Sequence, residues 1–326
     1  MLNAEPKMNS TVNATDIESP SLATVFLVSG TFLAVICPLT VLANVFLLVA
    51  IYKDPFNTFR TPTACFLVGL AITDLITGLV PEPMVTNCYF MHYNNHPAML
   101  TRCPRIFEVA GIVIAITTNS SFLIVMAFTF AQYVAVAFPL KYKRLISVRK
   151  TLACVGIIWA YATLFELSQT VGVPKEVIEK IDLHLHSTFS LLFTIITYVL
   201  LQVAFRKQMA ERSVTLHLTN SASMSSGGSI KGPPRKQNRK PNVERNFVRL
   251  NLLLIVILLV CSQPSAILWY IYLYAGESAK QSQTLFLIRV IADNTLYLKF
   301  LLDPFVFAWR LPKYRKALKN ALCRSN

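Results

Sequence analysis

The stretch "LNLLLIVILLVCSQPSAILWYIYLYA", residues 250–275, runs without a single charged side chain. A bilayer core is about 30 Å thick, and a helix rising about 1.5 Å per residue crosses it in roughly 20 apolar residues. The stretch is therefore long enough to span a membrane, within a segment 246–274. Six more segments read the same way: 22–52, 62–86, 105–138, 150–171, 185–207 and 284–309. The weakest are the second, which contains Asp74 and Glu82, and the seventh, with Asp293, Lys299 and Asp303. Backbone groups in lipid must be satisfied within the segment, so these spans are helices. A transmembrane barrel would instead show short alternating segments. The expected fold is an all-α integral membrane protein, a seven-helix bundle.

Composition agrees. Of 326 residues, 54% are hydrophobic and 14% charged, with a mean hydropathy of +0.51, against roughly 25% charged in soluble domains. The net charge of +15 does not point to nucleic acid, because the basic residues fall between apolar runs rather than among stacking aromatics. There is no HExxH, GxSxG, Walker loop or CxxC pair, so an enzyme is not expected. No cofactor and no metal site is expected either. His92 and His96 share helical spacing, but Pro97 and the lack of a third ligand argue against metal.

The basic residues also orient the chain. With the N-terminus outside, 23 Lys and Arg fall on the cytoplasmic side and 7 on the outer side, with Lys299 inside a span. Cytoplasmic loops carry such an excess. Asn9 and Asn13 begin Asn-x-Thr glycosylation acceptors in the outer tail. No charged n-region with a cleavage site precedes the first span, which is expected to insert by itself. The chain then divides into an extracellular tail (1–21), a seven-helix domain (22–309) with a flexible cytoplasmic loop (208–243), and a cytoplasmic segment (310–326). The loop is Ser/Gly-rich, then basic, and can touch anionic lipid or serve as a solvated linker. In 311–322, Leu311, Tyr314, Leu318 and Leu322 recur at helical spacing among Lys and Arg, which reads as an interfacial eighth helix. Cys323 at its end is a palmitoylation candidate or a plain thiol.

Short motifs fall in order along these spans: Asn44 in "LANVFLLVAIY", Asp74 in "LAITDL", "AQYVAVAFPLKY" with Pro139 after the third span, Trp159, Tyr198, Cys261 with Pro264, and "DPFVF" in the seventh. Together they resemble a rhodopsin-like (class A) G-protein-coupled receptor over nearly the whole chain. The departures matter as much. Ala131 and Gln132 replace the acid and arginine of the Asp-Arg-Tyr motif, keeping Tyr133. Ser262 stands in place of a tryptophan, Ser190 in place of a proline, and Asp303 and Phe307 in place of Asn and Tyr. Phe107 occupies the position of the family's disulfide cysteine. A Cys-free loop over 172–184 and the Asp-Pro pair look most like the melanocortin, cannabinoid and lysophospholipid branch.

The resemblance implies three sites. Asp74 matches a sodium-binding aspartate and Ser121 one of its partners, while Lys299 falls one turn before Asp303. The Lys299 ammonium is expected to stand in for sodium, bridging Asp74 and Asp303; the alternative is snorkelling toward the cytoplasmic interface. A retinal-type lysine would sit at Tyr297, and at about 100° per residue Lys299 points some 200° away. Spans two, three and seven would line a ligand cavity, with candidates Glu82, Glu108, Gly111, Ile114, Asp293 and Tyr297. The acids form either an anionic wall or internal pairs such as Arg289 with Asp293. Ile114 replaces the carboxylate that monoamines need, so a peptide or lipid ligand is favoured. The cytoplasmic switch would comprise Gln132, Tyr133, Tyr198, Glu244 and Phe307, facing a G protein or arrestin. Without its arginine the switch also admits a non-signalling decoy or dimer partner. Cys88 and Cys103 can bridge the first outer loop in place of the family disulfide, or remain two thiols.

Overall fold

The computed structural model describes residues 20–53, 60–225, 240–275 and 282–310, and every regular element among them is helical. The first span is α1 (Pro20–Lys53). The second is α2 (Pro62–Leu79) continued by α3 (Pro81–Tyr93), and the third is α4 (Met99–Ala137). A short α5 (Pro139–Leu145) leads to the fourth span, α6 (Val148–Leu167). The fifth comprises α7 (Lys175–Ile181), a wide π-helical turn (Asp182–Phe189) and α8 (Ser190–Ser225). The sixth is α9 (Lys240–Ile257), a second π turn (Leu258–Ser262) and α10 (Gln263–Tyr274), and the seventh is α11 (Gln283–Arg310).

Local chemistry sets the boundaries. Thr61 caps α2, its Oγ1 accepting from the Ala64 amide at 3.3 Å with Pro62 in the first turn. Ser147 caps α6 through the Lys150 amide. Phe138, which precedes Pro139, leaves the helical region at φ −135°, ψ 65° and ends α4. Pro81 has no amide hydrogen and breaks the second span between α2 and α3. Gly172, at φ +105°, closes the fourth span in the left-handed region that only glycine enters freely. In the fifth span a π turn widens the helix just before Ser190. The Thr188 and Ser190 hydroxyls donate five residues back, to the Leu183 and Leu185 carbonyls.

Among the described residues, six helices are long and apolar enough to cross a membrane. The seventh, α11, carries Arg289, Asp293, Lys299 and Asp303, and all four are buried in the bundle. Two apolar cores lie along the bundle. One gathers Leu47, Phe66, Phe128 and Leu254 toward the end of the bundle where α1 finishes; the second gathers Phe26, Tyr89, Phe107 and Phe300 toward the end where α1 begins. Gly69 lets spans two and four close in, since a Cβ there would meet Val155 Cγ1 at 2.8 Å.

Three sequence expectations change. The third span begins at Met99, not 105, so Cys88 and Cys103 lie in helices α3 and α4, separated by the short connection 94–98. The fifth span begins at Lys175. It also runs on to Ser225, so the first half of the expected loop 208–243 is helix. Its polar residues are no helix breakers, and the first glycine is Gly227. Asn9, Asn13, Cys323 and the expected eighth helix lie outside the described residues. Glu244 and Phe307 lie in helices, but their side chains are outside the description.

Candidate functional site

Lys299 and Asp303 sit four residues apart on α11, hence on one face, and that face meets α2 at Asp74. The Lys299 Nζ lies 3.0 Å from Asp303 Oδ2 and 3.6 Å from Asp74 Oδ1. None of the three is more than 1% exposed. Snorkelling is thereby corrected: the ammonium is held mid-bundle between two carboxylates. Ser121 is buried, but its hydroxyl has no hydrogen-bond partner and does not join the cluster. Asn44 ties the same helix to α1, donating to the Phe300 carbonyl at 3.2 Å and to the Thr40 carbonyl at 3.0 Å.

Toward the end where α1 begins, a cavity of about 60 Å³ opens between spans three, four, five and six, with Leu296 of span seven in its lining. Span three lines it with Glu108, Gly111, Ala115, Thr118, Asn119 and Phe122, a stripe of helical period. Deep in its wall the Asn119 amide donates to both Glu166 Oε1 and Asp182 Oδ1, each at 2.8 Å. Asp182 Oδ1 also lies 2.7 Å from His186 Nδ1, and His186 Nε2 lies 2.8 Å from the Tyr161 hydroxyl. This buried network joins spans three, four and five. Glu108 and Lys175 are exposed at the rim, where Lys175 faces Glu179 at 3.7 Å.

The anionic wall of Glu82, Glu108 and Asp293 is not assembled. Glu108 and Gly111 line this cavity; Glu82, Ile114, Asp293 and Tyr297 do not. The cavity opens on the face of span three that turns to spans four and five, whereas Ile114 and Tyr297 pack in the second core. Glu82 is fully buried in α3. Asp293 accepts from the Ser265 hydroxyl and faces Arg289, whose Nε is 3.7 Å away. The Arg289 guanidinium lies 4.3 Å from the Trp269 ring centre and 5.3 Å from that of Tyr272.

At the opposite end of the bundle, Gln132 Nε2 donates to Thr63 Oγ1 on α2 at 3.1 Å. Tyr198 accepts instead from Gln202 on its own helix. Tyr133 packs with Leu201, Phe205 and Val248 and meets Phe138 edge-on.

The model of the "7 transmembrane receptor (rhodopsin family)" matches residues 43–307. The chain belongs to that family. The fold is also that of squid rhodopsin, whose crystal structure superposes with a TM-score of 0.69 at 14% identity, covering 93% of this chain and 86% of that one. Cannabinoid receptor type 1B of Takifugu rubripes is 24% identical over 87% of this chain and 61% of its own length. Human neuromedin-U receptor 2 is 20% identical over 86% and 68%. Octopamine receptor 2 of Lymnaea stagnalis is 25% identical over 46% of this chain and 24% of its own length. The receptor thus spans well under two thirds of the octopamine relative and about three fifths of the cannabinoid one. The family makes it a multi-pass membrane protein and not an enzyme.

In this receptor the Asn119–Glu166–Asp182–His186 network was not found from sequence as a unit. Its one local signal is the i, i+4 spacing of Asp182 and His186. Cys88 and Cys103 are both fully buried in the second core, and Cys103 Sγ lies 3.8 Å from Met91 Sδ. An oxidising outer compartment would favour their bridge. Non-reducing peptide mapping of receptor from the cell surface should recover residues 88 and 103 in one linked species; alkylation of both without reduction would rule the bridge out.

Proposed function

We propose that the receptor converts binding of an extracellular ligand into a helix rearrangement that engages a heterotrimeric G protein, and in turn arrestin. The N-terminus lies outside and the C-terminus in the cytoplasm, as the 23-to-7 split of basic residues supports. Anionic lipid at the basic cytoplasmic face completes the set of partners; nucleic acid is not one. The single observation that carries this reading lies in α4. One continuous helix lines the outer cavity with Glu108 to Phe122 and presents Gln132 at the other end. A ligand that binds one arrangement of the bundle better than another shifts the population of both ends together.

Gln132 replaces the family's arginine and makes one neutral hydrogen bond, to Thr63. Such a bond contributes about 0.5–1.5 kcal/mol, which weights a two-state equilibrium roughly two- to tenfold. In membranes reconstituted with G protein, Thr63→Val should raise basal nucleotide exchange by that factor. Gln132→Arg should lower it, because a guanidinium can form a charge-assisted bond to the position of Glu244. Basal exchange identical in the native receptor and both variants would refute a switch at residue 132. The comparisons lend no support to a decoy. The relatives are named for octopamine, cannabinoids and neuromedin U, so their names share no ligand chemistry.

A further inference from the structure

Four carboxylates, those of Glu108, Glu166, Glu179 and Asp182, line the outer cavity against one ammonium, Lys175, which already faces Glu179. Glu166 is 2% and Asp182 8% exposed, and both accept from the Asn119 amide, while Asp182 Oδ1 also lies 2.7 Å from His186 Nδ1. Buried charges of one sign are retained where they meet a partner of the other. A second observation is independent of the acids. Thr118, Ser262 and Trp269 line the same cavity and are at most 4% exposed, and their Oγ1, Oγ and Nε1 atoms have no hydrogen-bond partner. Buried polar atoms are ordinarily satisfied, and three orphans around one void call for a ligand that carries hydrogen-bonding groups. Ser262 also stands where the family resemblance places a tryptophan, and its small side chain leaves that part of the void open.

We propose that this cavity binds an organic cation, an ammonium or guanidinium group, held between Glu166 of span four and Asp182 of span five. The inference rests on the receptor reading in one respect, that the cation is the extracellular ligand. Ile114 removes a carboxylate from span three, which disfavoured amines in the sequence; the structure supplies two from the opposite wall. The volume sets the size. A water needs about 10–15 Å³ of such space, so 60 Å³ takes a compact head group, with Glu108 and Glu179 left at the rim for the remainder of the molecule. A free amine and a Lys or Arg side chain of a peptide present the same chemistry. The Thr118 and Ser262 hydroxyls can accept from the cation's N–H groups, and the Trp269 indole N–H can donate to a ligand oxygen.

The test is direct binding to the full-length receptor in lipid nanodiscs at fixed ionic strength, followed by thermal shift and calorimetry. The free-amine arm uses 2-phenylethylamine and agmatine beside neutral 2-phenylethanol and anionic phenylacetate. The peptide arm uses blocked Gly-Gly-Arg beside its citrulline counterpart. At least one cation should bind while the neutral and anionic partners do not, and the arm that responds identifies the source. Glu166→Gln and Asp182→Asn should each weaken that cation tenfold or more. If either variant fails to fold, Ser262→Trp serves instead: it fills the void, leaves both carboxylates, and should abolish binding. Equal binding of neutral counterparts, no binding by any cation at 10 mM, or unchanged affinity in the folded variants would overturn the proposal. A receptor that binds the cation in this way but leaves G-protein nucleotide exchange unmoved keeps the site and refutes only the signalling role.

Discussion

Lys299→Met should destabilise the receptor by about 3–5 kcal/mol, the cost of removing one member of a buried ion pair and leaving its partners uncompensated. Here one ammonium serves two carboxylates, at 3.0 Å and 3.6 Å. Its loss leaves Asp74 and Asp303 facing each other in a site no more than 1% exposed. The expected result is a large fall in thermal midpoint and in surface accumulation. Bulk alone does not explain it, because methionine is close to lysine in length and fills the same channel. The charge explanation makes a second demand: the triple variant Asp74→Asn, Lys299→Met, Asp303→Asn should recover most of the loss, since no bare charge remains. A triple variant as unstable as the single one would place the cost in packing.

The same cluster predicts how the receptor answers to sodium. A tethered ammonium already occupies the position between the two acids, so exchanging NaCl for KCl should leave the thermal midpoint of the native receptor unmoved. Lys299→Asn vacates that position while keeping a polar side chain, and there sodium should stabilise relative to potassium. A native receptor shifted by several degrees in NaCl would mean that the lysine does not stand in for the ion.

That cluster was legible in the sequence because its decisive feature is local. Lys299 and Asp303 are four residues apart on one helix, and Asp74 enters through a motif whose place in the family bundle is regular. The spans were legible for the same reason, since each is a continuous apolar run. What escaped reading depends on distant parts meeting. Gln132 finds Thr63, 69 positions away, and nothing near either residue announces the other. Of the candidates on span three, Glu108 and Gly111 line the cavity, whereas Ile114, about one residue's rotation from Ala115, turns into the apolar core. A turn of about 100° decides which wall a helix presents, and apolar residues on both sides hide it. Glu166 was visible as an acid in a span, but its partner Asp182 lies in a stretch whose helical start, at Lys175, no apolar run marks.

The pair Arg289 and Asp293 shows how geometry decides between two readings that spacing leaves open. An i, i+4 pair of this kind can hold the bundle together, or its acid can be held ready for a ligand. Arg289 is 6% exposed and lies against the faces of Trp269 and Tyr272, while Asp293 accepts from Ser265. Both ends of the pair are thus committed to span six, so its role is to fasten span seven to span six. Arg289→Leu should therefore cost about 3–5 kcal/mol, with the Asp293 carboxylate left buried without its cation. Arg289→Lys should not rescue it fully, because an ammonium cannot lie flat on two rings; a desolvated stack of this sort is worth about 2 kcal/mol. The double variant Arg289→Leu, Asp293→Asn separates charge from stacking: it should be more stable than Arg289→Leu alone, and the full cycle with Asp293→Asn gives the coupling energy. Trp269 lines the cavity, so Arg289→Lys should also loosen that wall and weaken cation binding with Glu166 and Asp182 untouched. Asp293→Asn gives the opposite check. A ligand carboxylate would lose binding and spare stability; a fastener should lose stability, and the folded fraction should bind as before.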